Sequence, residues 1–163
     1  MTKILASLKQ HCRQEAQTAT LAQHLAASLQ QTINATPSIH LNISLEGDLG
    51  AGKTSLARGV LAELGLDEDA PSPSFALVIP YAPPQVRLPI WHIDLYRLDS
   101  AEDAEELGLD DALYDGALII EWPERLGWLW PQTLRLHISL PADGPRRLTA
   151  SLSPSWEERW PFR

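Results

Sequence analysis

The spacing of apolar residues changes along the chain and predicts where strands and helices lie. Apolar and polar residues alternate from residue 39 to residue 46, which is the pattern of a strand with one apolar face. A parallel strand covered on both faces is usually apolar throughout, so the alternation predicts that one face of this strand is only partly covered. After this strand, residues 53–64 are predicted to form a helix, which Gly65 ends as a C-cap.

Shorter patterns predict the other elements. Strands are predicted at residues 3–8, 75–81, 88–96, 117–120, 133–140 and 147–152. A long helix is predicted at residues 18–31, and a short one begins near Asp99 or Ser100, either of which can cap it, and runs to Leu107. The last two strands are expected to form a closing hairpin.

Length and composition fit one globular domain with a short tail. The chain has 163 residues, of which 44% are hydrophobic and 21% charged. We expect a single mixed α/β domain over residues 1–152 and a tail over residues 153–163, in which Trp156 and Trp160 have a packing role. No apolar run approaches the roughly 18 residues of a membrane span. The single cysteine, Cys12, and the lack of a secretory signal pattern predict a cytoplasmic protein.

The charge of the chain argues against direct binding to nucleic acid. The formal net charge is −8, whereas a protein that holds RNA or DNA alone usually carries a basic stripe. The longest acidic stretch, residues 102–111, is interpreted as a solvated helix face. An acidic surface that docks a basic partner is the alternative interpretation.

The segment after the first alternating strand matches the phosphate-binding motif G-x-x-x-x-G-K-[ST]. Its residues are Gly47, Asp48, Leu49, Gly50, Ala51, Gly52, Lys53 and Thr54, and Ser55 follows directly. The glycines allow several backbone N–H groups to converge on a phosphate, and the helix N-terminus adds partial positive charge. Lys53 is expected to reach the β- and γ-phosphates, and the Thr54 hydroxyl is expected to bind Mg²⁺. The segment therefore predicts a site for ATP and Mg²⁺.

An accidental match in a glycine-rich turn is the alternative, but this segment follows a predicted strand and opens a predicted helix, as a functional P-loop does. Together with the other elements, the motif predicts a three-layer α/β fold of the P-loop NTPase type. In this fold, a central mixed sheet has a parallel core and antiparallel flanking strands, and helices lie on its faces.

Two further groups of polar residues are candidates for the same site. Glu121 ends an apolar strand, where a P-loop enzyme places the carboxylate that supports its metal; a carboxylate in solvent is the alternative. His92, Asp94 and Tyr96 share one face of a predicted strand and could orient the attacking water or support the metal. Alternatively, these three residues are the polar side of an edge strand.

These segments together resemble the TsaE family of P-loop ATPases, also described as YjeE-type. The family pattern continues from the P-loop through Ser-Pro-Thr-Phe/Tyr, His-x-Asp-x-Tyr-Arg-Leu and Glu-Trp-Pro. This chain has the corresponding segments at residues 72–75, 92–98 and 121–123, and the resemblance extends over residues 16–150. Ser74 is a departure, because the family usually has threonine there.

The resemblance implies a role in forming N6-threonylcarbamoyladenosine at position 37 of tRNA. It implies ATP hydrolysis that supports turnover by a complex of TsaB- and TsaD-like proteins, with the tRNA held indirectly through that complex. By similarity, Lys53, Asp94 and Glu121 are the catalytic residues: Thr54 and Glu121 bind Mg²⁺, and Asp94 helps to position the water. Ser74 is expected near the γ-phosphate or the metal, and Gly144 near the adenine.

Other functions remain open from the sequence alone. A small-molecule kinase uses the same phosphate cradle, although we find no cluster of arginines that could form a lid over the phosphates. A nucleotide-sensing assembly module with little turnover is a further alternative. A GTPase is less favoured, because the chain has no Asn-Lys-x-Asp guanine motif.

Overall fold

The computed structural model describes residues 23, 26, 27, 42–73, 76–139, 142 and 147–157. Several predicted features lie outside the described residues: the strand at residues 3–8, most of the helix at residues 18–31, Cys12, Ser74, Gly144 and Trp160. Within the described part of the chain, no helix is long and apolar enough to cross a membrane.

The described residues form six strands and several short helices. The strands are β1 Asn42–Glu46, β2 Val78–Tyr81, β3 Ile90–Asp94, β4 Ala117–Glu121, β5 Leu134–Ser139 and β6 Arg147–Ser151. The α-helices are α1 Lys53–Glu63, α2 Leu109–Asp115 and α3 Pro154–Glu157, and 3₁₀ helices lie at Glu102–Leu107 and Pro123–Leu126.

The strands form one mixed sheet in the order β2-β3-β4-β1-β5-β6. The inner strands β3, β4, β1 and β5 are parallel, while β2 and β6 pair antiparallel at the two edges. This arrangement confirms the predicted parallel core with antiparallel flanking strands, and the β5–β6 hairpin is confirmed with it. Because β1 and β4 are parallel neighbours, the P-loop that follows β1 and Glu121 at the end of β4 lie together at the carboxyl ends of these strands.

Both faces of the sheet are covered by separate hydrophobic cores, which gives the predicted three layers. In one core, Leu56 and Leu61 of α1 pack with Ile43 of β1. In the other, Leu109 and Leu113 of α2 pack with alternate residues of β4. The alternation along β4 directs successive side chains into the two cores in turn.

The prediction that one face of β1 is only partly covered is wrong. Asn42 and Ser44, on the polar face of this strand, are both fully buried. They lie in register with Leu118 and Ile120 of β4, which belong to the second core. The strand is buried on both faces because it is central in the sheet, and the 3₁₀ helix Pro123–Leu126 packs against it.

The acidic segment forms two short helices instead of one. The predicted helix ending at Leu107 is a 3₁₀ helix, and the Ser100 hydroxyl accepts a hydrogen bond from the Asp103 amide at 3.3 Å, close to the predicted cap. Helix α2 follows after Gly108 and was not predicted. All six carboxylates between residues 102 and 111 are exposed, which confirms a solvated face.

The predicted packing role of Trp156 is confirmed. Its side chain is fully buried and belongs to the same core as α1. The short helix Pro154–Glu157 carries it there, so the packed part of the fold extends beyond Leu152.

The entry into β4 requires a residue without a side chain. A Cβ built on Gly116 collides with the Pro89 carbonyl oxygen and lies 2.8 Å from its carbonyl carbon. The same oxygen accepts a hydrogen bond from the Ala117 amide at 2.9 Å, so it is held in place. We expect Gly116→Ala to lower the free energy of unfolding by about 1–3 kcal/mol, as for other overpacked sites, measured by urea denaturation.

Gly127→Asn is the matched control for Gly116→Ala. Gly127 has φ +75°, which asparagine tolerates, and a Cβ there meets no described heavy atom within 4 Å. A loss of stability as large in the control as in Gly116→Ala would contradict the proposed steric cause.

Candidate active site

The P-loop connects the end of β1 to the start of α1 and depends on its glycines. Gly50 and Gly52 have φ of +79° and +108°, in the left-handed region that favours glycine. At Gly47, a Cβ would collide with the carbonyl oxygen of Ile138 on β5. The glycines therefore let this loop pack closely against the sheet, and the first turn of α1 follows directly after it.

Lys53, the first residue of α1, points back into the loop. The residue is only 5% exposed, and its ammonium donates hydrogen bonds to the carbonyl oxygens of Gly47 at 2.5 Å and Asp48 at 2.9 Å. The Trp122 ring lies over the same nitrogen, 4.1 Å from ring centroid to Nζ. Burial lowers the pKa of Lys53, and nearby carboxylates, led by Glu121, partly oppose this shift.

Glu121 lies below the P-loop and is held on both sides. The Thr54 hydroxyl donates to Oε1 of Glu121 at 2.7 Å, and His92 Nε2 lies 2.7 Å from its Oε2. Glu121 is 1% exposed, so the alternative of a strand-end carboxylate in solvent is wrong. The parallel pairing of β3 and β4 brings His92 and Glu121 together on one face of the sheet.

Asp94 is at the end of β3, opposite Glu121 in the register of the sheet. It is 5% exposed, and its Oδ1 accepts a hydrogen bond from the Tyr96 amide at 2.9 Å, which fixes the carboxylate at the strand end. Because β3 lies between β2 and β4, the alternative that these polar residues line an edge strand is wrong. Tyr96 lies just beyond the strand, and its ring packs on that of Trp122 at 4.9 Å between centroids.

A cleft of about 310 Å³ brings the predicted residues together. It is lined by Leu49, Gly50, Gly52, Lys53, Thr54, Ser55, Asp94, Tyr96, Glu121 and Trp122. A glycine-rich loop, an ammonium, a hydroxyl and carboxylates fit a polyphosphate with Mg²⁺, since Mg²⁺ prefers oxygen ligands and usually shares them with substrate phosphates. The structure thus gathers most of the residues predicted for this site, while Ser74 and Gly144 lie outside the described residues.

A second cavity of about 940 Å³ is also lined by Trp122. It shares Gly47 and Asp48 with the P-loop but is lined by none of Lys53, Thr54 and Glu121. The P-loop residues expected to contact phosphate and Mg²⁺ therefore line the smaller of these two cavities.

Sequence reasoning missed the position of Trp122. This residue has φ +59°, which is uncommon for a residue with a side chain; its ring covers the Lys53 ammonium, and the residue lines both cavities. Its position directly after Glu121 was the available signal. A tryptophan before proline is equally compatible with simple packing, so the sequence did not distinguish a packing role from a position in the site.

Comparisons with known proteins agree with this arrangement. Residues 12–148 match the family model described as threonylcarbamoyl adenosine biosynthesis protein TsaE. A Treponema pallidum protein named tRNA threonylcarbamoyladenosine biosynthesis protein TsaE is 37% identical over 111 residues, covering 67% of this chain and 80% of the relative. A Bacillus subtilis protein of the same name is 35% identical over 109 residues, covering 66% of each. The crystal structure of Bacillus subtilis YdiB superposes with a TM-score of 0.71 at 27% identity, covering 97% of this chain and 91% of YdiB.

Proposed function

Since the chain belongs to the TsaE family, we propose that it hydrolyses ATP in support of threonylcarbamoyladenosine formation on tRNA. The observation that carries the proposal is the contact between the Thr54 hydroxyl and Glu121 at the base of the P-loop cleft. P-loop ATPases pair a hydroxyl from the loop with a strand-end carboxylate in this way to hold their metal.

The reaction is an attack of water on the γ-phosphorus of ATP, in which the bond to the β–γ bridging oxygen breaks and ADP and phosphate leave. The P-loop amides and Lys53 would bind the phosphates, once the ammonium exchanges its carbonyl partners for phosphate oxygens. Thr54 and Glu121 would hold Mg²⁺, which when bound supplies positive charge to the β- and γ-phosphate oxygens. The amides, the Lys53 ammonium and the bound Mg²⁺ would stabilise the negative charge that spreads over the transferring phosphoryl group.

Asp94 is proposed to position the attacking water. It lines the same cleft as Glu121, and the hydrogen bond that its Oδ1 accepts from the Tyr96 amide at 2.9 Å orients the carboxylate there, where it would accept a hydrogen bond from the water. Orientation of this kind acts on the rate of the chemical step and much less on nucleotide affinity.

Complexes of TsaB- and TsaD-like proteins are the proposed partners, in the cytoplasm. The net charge of −8 supports a tRNA that is held by those partners and not by this chain directly. The exposed acidic face at residues 102–111 offers one surface that a basic partner could contact.

The proposal is tested by following phosphate release from ATP with this protein alone and with purified TsaB- and TsaD-like proteins. We expect slow hydrolysis alone and faster hydrolysis with both partners, together with threonylcarbamoyladenosine formation on added tRNA. Asp94→Asn is expected to reduce the partner-stimulated rate while ATP affinity is retained.

Three results would contradict the proposed function. If the partners neither bind nor change hydrolysis, the role in tRNA modification fails. Strict dependence of phosphate transfer on a small acceptor would indicate a kinase instead. Nucleotide-dependent assembly with the partners without phosphate release would indicate an assembly module.

A further inference from the structure

We propose that His92 is a positioning residue that fixes the carboxylate of Glu121 for Mg²⁺. This inference rests on the proposed function, because it assigns a role to His92 in the same metal site. His92 itself does not touch the nucleotide: it is fully buried and does not line the P-loop cleft.

The two oxygens of Glu121 have different partners at the same distance. Oε1 accepts from the Thr54 hydroxyl at 2.7 Å, on the side of the cleft, and Oε2 lies 2.7 Å from His92 Nε2. The last torsion of a glutamate side chain has broad, weakly defined minima, so a carboxylate with a single partner can rotate. Two partners on separate oxygens fix the carboxylate plane, and the oxygen that faces Thr54 stays directed toward the cleft.

The chemistry of the pair defines which nitrogen acts. An ionised carboxylate only accepts hydrogen bonds, so Nε2 of His92 must be the donor. Nδ1 is buried and has no hydrogen-bond partner within the described part of the chain. The imidazole therefore has one polar contact there, and that contact is with Glu121.

The fold explains how this histidine reaches Glu121. Its position in the middle of β3 pairs with Ile119 of β4, two residues before Glu121 on the same face of the sheet. Since the ring is fully buried and does not line the P-loop cleft, it contacts Glu121 from within the protein and not from the cleft. Residues that orient a metal ligand from behind typically change metal affinity or activity by 10- to 100-fold when they are replaced.

Two amide variants separate positioning from mere packing. The side-chain nitrogen of His92→Gln can occupy nearly the place of Nε2 and still donate to Glu121. The nitrogen of His92→Asn lies nearer the place of Nδ1 and does not reach the carboxylate. Both variants introduce a neutral amide at a fully buried position, so they differ mainly in this one contact.

The readout is the dissociation constant of ATP, measured by calorimetry with Mg²⁺ and again with EDTA. We expect His92→Asn to weaken ATP binding by about 10- to 100-fold with Mg²⁺ and to leave binding in EDTA unchanged. His92→Gln is expected to recover most of the Mg²⁺-dependent affinity. Thermal unfolding of both variants without nucleotide serves as the control for folding.

The possible failures are distinguishable. If ATP binding by the natural protein does not depend on Mg²⁺, the metal site in the proposed function fails. If binding by the natural protein does depend on Mg²⁺ and His92→Asn keeps the same dependence, the positioning role alone is overturned. Equal losses in both variants, with Mg²⁺ and with EDTA alike, would overturn it as well, because they would indicate a general packing role.

Discussion

Replacing Glu121 with glutamine is expected to lower ATP hydrolysis by about 100- to 1000-fold, because Mg²⁺ would be held poorly and loss of one group that stabilises transition-state charge costs about that much. The variant removes the negative charge that would hold Mg²⁺ and keeps the size of the side chain. Its amide oxygen can still accept from the Thr54 hydroxyl, and its NH₂ can face His92 if the ring changes tautomer. Phosphate release at saturating ATP and Mg²⁺, with both partner proteins present, measures the effect.

Glu124→Gln is the matched control for Glu121→Gln. Glu124 is an exposed carboxylate three residues further along, and it lines the larger cavity instead of the P-loop cleft. The Glu124→Gln variant should hydrolyse ATP at nearly the rate of the natural protein. Hydrolysis by Glu121→Gln at the rate of the control would contradict the assignment of Glu121 to the metal.

Local patterns were sufficient to predict the sheet and the main parts of the site. The P-loop and the apolar strand before Glu121 are contiguous segments, so their chemistry is visible in the order of the residues. The alternation at residues 42–46 identified β1 but not its burial, because burial depends on the two strands beside it. Helix α2 has only seven residues and an acidic surface, so its apolar stripe was too short to recognise.

The contact between His92 and Glu121 depends on pairing between distant strands. The sequence places His92 and Asp94 on one face of β3, which the structure confirms. The sequence does not give the register between β3 and β4. That register decides which of the two residues contacts Glu121 and which lies beside it in the cleft. The left-handed backbone of Trp122, which brings its ring over Lys53, is likewise set by tertiary packing and not by local preference.

Replacing Lys53 with methionine is expected to abolish measurable ATP binding and hydrolysis, yet to raise the melting temperature of the nucleotide-free protein at neutral pH. The phosphates lose the ammonium that would contact them. The fold loses a buried charge whose pKa is lowered by desolvation, which means that its surroundings disfavour the charged form. Gly47 is half-buried and Asp48 is exposed, so water can take the place of the ammonium at this part of the loop.

The dependence on pH separates this explanation from a gain in packing. In the unfolded chain Lys53 titrates near its ordinary pKa of 10.5, and in the folded protein it titrates lower. Lys53 therefore destabilises the folded natural protein most below its folded pKa, and this destabilisation is lost as pH rises from there toward 10.5. The difference in melting temperature should be largest near pH 7 and shrink toward pH 10.5. A difference that is constant over this range would show that burial of the ammonium does not destabilise the fold.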